Sequence, residues 1–357
     1  MTGMNNSNKK NINWINAAKA LSIIAVYYVH CTNYYGYRIG QINDYIHPFY
    51  VNAFFFVSGY LLFRKQLSTP VIDEKCEQYI RGCMRQYLSN IFYRIIVPSI
   101  LFASVEYVPK NLLRGRGLDI SNFLWETIGG RTYWFTSALV VAQIIILLLL
   151  LLRFRKIWIY WLCSLCVMAG GFYMVEQNAN FLGLAHDLWQ FKHGLLSIAF
   201  LSSGGLYWRY ERTIQRYMNR GVFAVMSIVY FFMFTIFSED FHVLISLLDI
   251  NWIGYCAGCF ASILLIEICK YLPQVQPLTF IGQNSISFYF MSGALPIVMS
   301  MIANLFLDEL RWYGLMLVWM LSLLIAYGAT SLFNKYTPWL FDLRPLFLVS
   351  RQSCESQ

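Results

Sequence analysis

Charge is what this chain lacks most. Only 13% of its 357 residues are Asp, Glu, Lys or Arg, about half of the roughly 25% found in soluble domains. A water-facing surface of this size cannot be covered with so few ionic groups, which excludes an ordinary cytosolic enzyme and a disordered chain. Metal motifs are missing too: the five histidines show neither H-x-x-x-H nor H-E-x-x-H spacing, so no metal site is expected. No glycine-rich phosphate loop, nucleotide-binding ATPase motif, haem signature or internal repeat occurs. No loop is long enough to hold a soluble domain. The nine cysteines form no disulfide framework, because Cys31, Cys163, Cys166, Cys256, Cys259 and Cys269 lie in apolar stretches where Cys behaves as a small hydrophobe. The C-x-x-C pairs Cys163/Cys166 and Cys256/Cys259 have no further ligands beside them.

Apolar side chains are abundant instead. They make up 58% of the chain, aromatics 18%, and the mean hydropathy is +0.50. An all-α, polytopic integral membrane protein follows, since a helix satisfies its own backbone in lipid. About 20 mostly apolar residues cross the hydrocarbon core. Ten such segments can be counted, near 15–35, 49–63, 91–108, 133–152, 157–175, 194–208, 221–238, 250–269, 279–303 and 312–333. Residues 1–13 read as a cytoplasmic tail before an uncleaved first span, 14–334 as the membrane domain and 335–357 as a second cytoplasmic tail.

The net charge of +9 resolves once it is mapped. With the N-terminus inside, twenty of the 27 Lys and Arg residues fall inside with seven of the 18 Asp and Glu, making the inner side +13 and the outer side −4. That is the positive-inside bias, with both termini cytoplasmic, so the basic excess does not imply a nucleic-acid partner. Loop 109–132 departs from it, with Lys110, Arg114, Arg116 and Arg131 outside.

Ionisable and polar groups inside spans are costly and are functional candidates by default. Lys19 and His30 lie eleven residues apart in the first span, about three turns and roughly 16 Å along one helix face. An imidazole there can exchange a proton near neutral pH, as acyl transfer to a hydroxyl requires; equally, it can anchor the helix end beside Tyr34 and Tyr35. Ser58-Gly59, in a run of aromatics, permits close helix packing. Arg94 opens the third span with Pro98 one turn on, and fits either a phosphate fork or the charge bias. Tyr133 and Trp134 open the fourth span as an interfacial aromatic belt. Glu106 and Glu267 are further acids within spans.

Taken in order, these features resemble the membrane acyltransferase-3 family, bacterial proteins of about ten spans that O-acylate surface glycans. The family's first span carries an Arg and, after ten residues, a His; here Asn16, Lys19, Ala25 and His30 occupy comparable places. Phe55-Phe56-Val57-Ser58-Gly59-Tyr60-Leu61-Leu62 is similar to its second-span run, Arg94 to Pro98 to its R-x-x-x-P element, Trp134-Phe135 to Leu139 to its W-F-x-x-x-L, and Gly282 to Tyr289 to its G-x-x-S-x-x-x-Y. There are departures. Lys19 stands where Arg is usual, Ile91 where many members have a second Arg, and Phe290-Met291-Ser292-Gly293 lacks the His often found there.

The resemblance implies an inner-membrane O-acyltransferase, transferring groups other than amino-acyl groups, with no tightly bound cofactor. Acyl-CoA, most simply acetyl-CoA, would be the donor co-substrate, and a sugar hydroxyl of a lipid-linked or exported surface polysaccharide the acceptor. His30 would be catalytic, Lys19 and Arg94 would hold donor phosphates, and Ser58, Tyr133 and Trp134 would contact substrate. Membrane lipids are the remaining partner. The rival reading is a transporter or flippase of glycan precursors without acyl-transfer chemistry, which would need polar residues spread through several spans; here the charges gather at span ends.

Overall fold

A computed structural model describes residues 4–67, 84–113, 115, 117–154, 156–184, 186–236, 251–306 and 311–341, whose regular elements are helices with no strand among them. The helices are α1 (Met4–Tyr35), α2 (Ile42–Tyr50), α3 (Asn52–Leu67), α4 (Met84–Leu112, with a π turn at Phe92–Ile96), α5 (Ile120–Thr127), α6 (Trp134–Leu151) and α7 (Ile157–Glu176). There follow α8 (Phe191–Tyr217), α9 (Arg220–Ile236), α10 (Trp252–Tyr271), α11 (Gln276–Gln283), α12 (Ser285–Met291), α13 (Ala294–Phe306) and α14 (Trp312–Tyr336). Of the basic residues and histidines that the charge-based topology assigns to a side of the membrane, Lys75, Arg81, Arg114, Arg116, Arg155, His242, Arg344 and Arg351 lie outside the described residues, as does the tail beyond 341.

Among the described residues, six helices are long and apolar enough to cross a membrane: Ile42–Lys65, Met84–Leu112, Trp134–Leu151, Ile157–Glu176, Trp252–Tyr271 and Trp312–Tyr336. A seventh span is made if α12 and α13, bent by 46°, count as one. The segment near 279–303 is therefore broken rather than straight. Asn284 ends α11 and bonds back to the Phe280 carbonyl at 2.8 Å, while Ser292-Gly293 parts α12 from α13. Pro296 then falls in the first turn of α13, where a missing N–H costs nothing. The segments near 15–35, 194–208 and 221–238 lie on α1, α8 and α9.

The helices are turned inside out relative to a soluble protein. Helix α6 buries Thr136, Ser137 and Gln143 while Ile144, Leu148 and Leu151 are exposed, and α9 exposes Val225, Val229 and Phe232. Apolar bands of this kind face lipid rather than water.

The chain divides into two compact units, residues 1–60 with 206–330, and residues 61–205 with 331–357. In the first, α1 is central. Trp14, Ile15 and Ala18 pack with Phe56, Val57 and Tyr60 of α3, Tyr207 of α8 and Ile266 of α10. Higher on α1, Ile23 and Tyr27 pack with Ile281, Phe288 and Ala326, and the Tyr27 hydroxyl donates to the Phe288 carbonyl at 2.9 Å. In the second unit α6 packs against α7 and the π turn of α4; Ser99 of α4 donates to Thr136 of α6 at 3.1 Å. Phe102 stacks on Phe341 at 5.3 Å between ring centres.

Candidate active site

Helix α1 runs unbroken through Lys19 and His30. Its run of Ala and aliphatic residues supplies helix propensity and a packing face, and both polar side chains are half-buried. The His30 ring lies parallel to Tyr34, 5.9 Å between centres and 8° between planes, the neighbour anticipated from the sequence. Ser58 is half-buried on α3, flanked by Val57 and Tyr60, which enter the core with α1.

The other three anticipated residues belong to the second unit. Arg94 sits in the π turn Phe92–Ile96 and is exposed. One extra residue in a helical turn re-aims the side chains around it, and such turns recur at functional sites. Tyr133 caps the start of α6, buried, with its hydroxyl bonded to the Glu106 carboxyl of α4. Trp134 opens α6, half-buried, with its ring 5.2 Å from that of His193. His30, Lys19 and Ser58 thus group in one unit and Arg94, Tyr133 and Trp134 in the other.

Around Tyr133 the polar groups are paired. Lys110 bonds Glu126 at 2.8 Å, and Thr132 donates to the same carboxylate at 3.3 Å. Burial pushes the Glu126 carboxyl up, but Lys110, Thr132 and Arg131 outweigh that and hold it below the usual carboxylate range. One of the basic residues of loop 109–132 therefore neutralises a buried acid.

Two residues drew no role from the sequence: His193 stands beside Trp134, and Asp187 faces His193. His193 lies in the first turn of α8, and Asp187 precedes that helix, accepting from the Lys192 N–H at 3.2 Å. Burial pushes the Asp187 carboxyl up, against the pull of Lys192. Their sequence signal was only a six-residue separation, which becomes proximity through the shape of the intervening loop.

A family model described as an acyltransferase domain, the acyltransferase-3 type, matches residues 12–335. The chain belongs to this family. It is an acyltransferase, and its apolar helices make it a multi-pass membrane protein. The match covers the acyltransferase from α1 to α14, and so includes all six of the residues considered above. No curated protein and no solved structure matches the chain.

Proposed function

We propose that this acyltransferase moves an acyl group, most simply acetyl, from cytoplasmic acyl-CoA to a sugar hydroxyl of a lipid-linked or exported polysaccharide, in the bacterial inner membrane. The observation that carries this reading is the family match over residues 12–335, joined to the His30 motif on the unbroken helix α1. Ten spans with both termini inside remain the topology that best satisfies the charge distribution.

In this reading Lys19 and Arg94 sit towards the basic inner side and hold the phosphates of the donor. His30 stands towards the outer end of its helix, where the acceptor is. Its imidazole takes the proton of the acceptor hydroxyl as that oxygen attacks the acyl carbonyl; the new ester C–O bond forms, the bond to the acyl carrier breaks, and the proton is passed to the departing group. Through the inner pool the departing group is the CoA thiol. Ser58, Tyr133 and Trp134 contact substrate.

His30→Ala should lower transfer of labelled acetyl from acetyl-CoA into membrane glycan by about a hundredfold or more, with membrane levels of the protein unchanged. Undiminished transfer would remove His30 from the chemistry.

A further inference from the structure

The second unit has its own arrangement of aromatic and ionisable side chains at the shared end of α6 and α8. Gly194 brings the two helices together: a Cβ there would lie 2.5 Å from Cγ1 of Val141 on α6. The preceding residue, His193, is thereby set against Trp134, ring centres 5.2 Å apart and planes tilted by 44°. His193 Nδ1 is buried without a hydrogen-bond partner and faces Oδ2 of Asp187 at 4.0 Å. A carboxylate on that side favours the proton on Nδ1, so Nε2 is left as an acceptor. The loop carrying Asp187 is tied down. The Trp189 N–H donates to the Gly129 carbonyl at 2.9 Å, and His186 meets Trp125 of α5 edge-on at 5.1 Å. Trp189 and Gln190 both adopt left-handed backbone, φ 53°, which is strained for bulky residues and is retained where the surroundings enforce it.

We infer that Trp134, His193 and Asp187 form the subsite for the acceptor sugar, with the indole against the apolar C–H face of a pyranose and His193 Nε2 accepting from a ring hydroxyl. This rests on the glycan reading above. The chemistry selects an uncharged, hydroxyl-bearing ligand: an aromatic face and a hydrogen-bonding imidazole are offered together. The Lys110 ammonium is already matched by Glu126, and the Asp187 carboxylate, held by the Lys192 backbone N–H and facing the imidazole, disfavours a phosphate there. Asp187 is a positioning residue that acts through His193.

The test uses the full-length enzyme purified in detergent, acetyl-CoA, and oligosaccharides released from the producing cell's alkali-deacylated surface polysaccharide. Trp134→Ala and His193→Ala should each raise KM for the oligosaccharide about tenfold or more while KM for acetyl-CoA stays within about twofold. Trp134→Phe, which keeps an aromatic face, should recover most of the loss; Asp187→Asn, which still caps α8, should raise the oligosaccharide KM alone. Saturation-transfer NMR with the same oligosaccharides reads binding without turnover, and its signal should fall in Trp134→Ala. A wild-type enzyme that binds the oligosaccharides but acetylates none refutes the glycan-transfer reading and leaves the subsite standing. Wild-type enzyme that gives no saturation transfer, or monodisperse variants with unchanged oligosaccharide KM or with both KM values raised equally, overturns the subsite.

Discussion

Lys270, at the end of α10, shows what a single ionic residue does in so apolar a protein. Its ammonium bonds Glu267 at 2.9 Å, Glu211 at 3.2 Å and the Tyr207 hydroxyl at 2.5 Å. Tyr207 in turn donates to Glu267, and Tyr60 donates to Glu211 at 2.7 Å. Trp14 of α1 lies 5.7 Å beneath the same ammonium, a cation–π contact. Four helices of the first unit meet at one cation. Glu267, which as an acid within a span fitted a polar transport path, is instead a member of this closed network. Replacing Lys270 by Met would strand two buried carboxylates, at about 3–5 kcal/mol, so the variant's unfolding midpoint in detergent should fall sharply; Lys270→Met combined with Glu267→Gln and Glu211→Gln should recover much of it. Neither the partners nor the cost was legible beforehand, because residues 60, 211 and 267 share no pattern along the chain.

Among elements, the clearest case is the contact between α11 and α1. A Cβ on Gly282 would sit 2.0 Å from the Asn16 carbonyl oxygen and 2.5 Å from its carbon, and backbone cannot step aside as a flexible side chain can. The glycine that the sequence offered as part of a motif thus has a packing reason: it lets α11 lie directly on the helix that carries Lys19 and His30. Ser287, within the same run, bonds Thr330 of α14 at 2.9 Å. Gly282→Ala should destabilise the protein by about 1–3 kcal/mol and lower its thermal midpoint in detergent, whereas Gly328→Ala, with nothing within 4 Å of the added carbon, should leave it nearly unchanged. Helix positions were readable in advance because span-length apolarity is a strong local signal. The break at Asn284 and the bend at Ser292-Gly293 were not, since a Ser, an Asn and a Gly in an apolar run are compatible with a straight span. The π turn at Arg94 left no mark in the sequence either.

At the scale of the molecule, scarcity of charge first said only that the chain could not be water-soluble. The structure gives that a form: buried Gln143 and Ser137 against exposed Leu148 and Leu151 on one helix, with the Glu267, Glu126, Glu106 and Asp187 carboxylates tied to Lys270, Lys110, Tyr133 and the start of α8 respectively. The family was legible from short motifs in order, and the match over residues 12–335 establishes it. The grouping of His193 with Trp134 and with Asp187 was not legible, because it arises only through loop shape and the close approach at Gly194. What the whole assembly does is tested most directly by mass spectrometry of surface glycans from cells with the gene, without it, and with the His30→Ala variant. A mass increment of one acyl group per modified residue is expected with the wild-type gene and is expected to be absent from the other two. Identical glycan masses in all three would contradict glycan acylation by this acyltransferase.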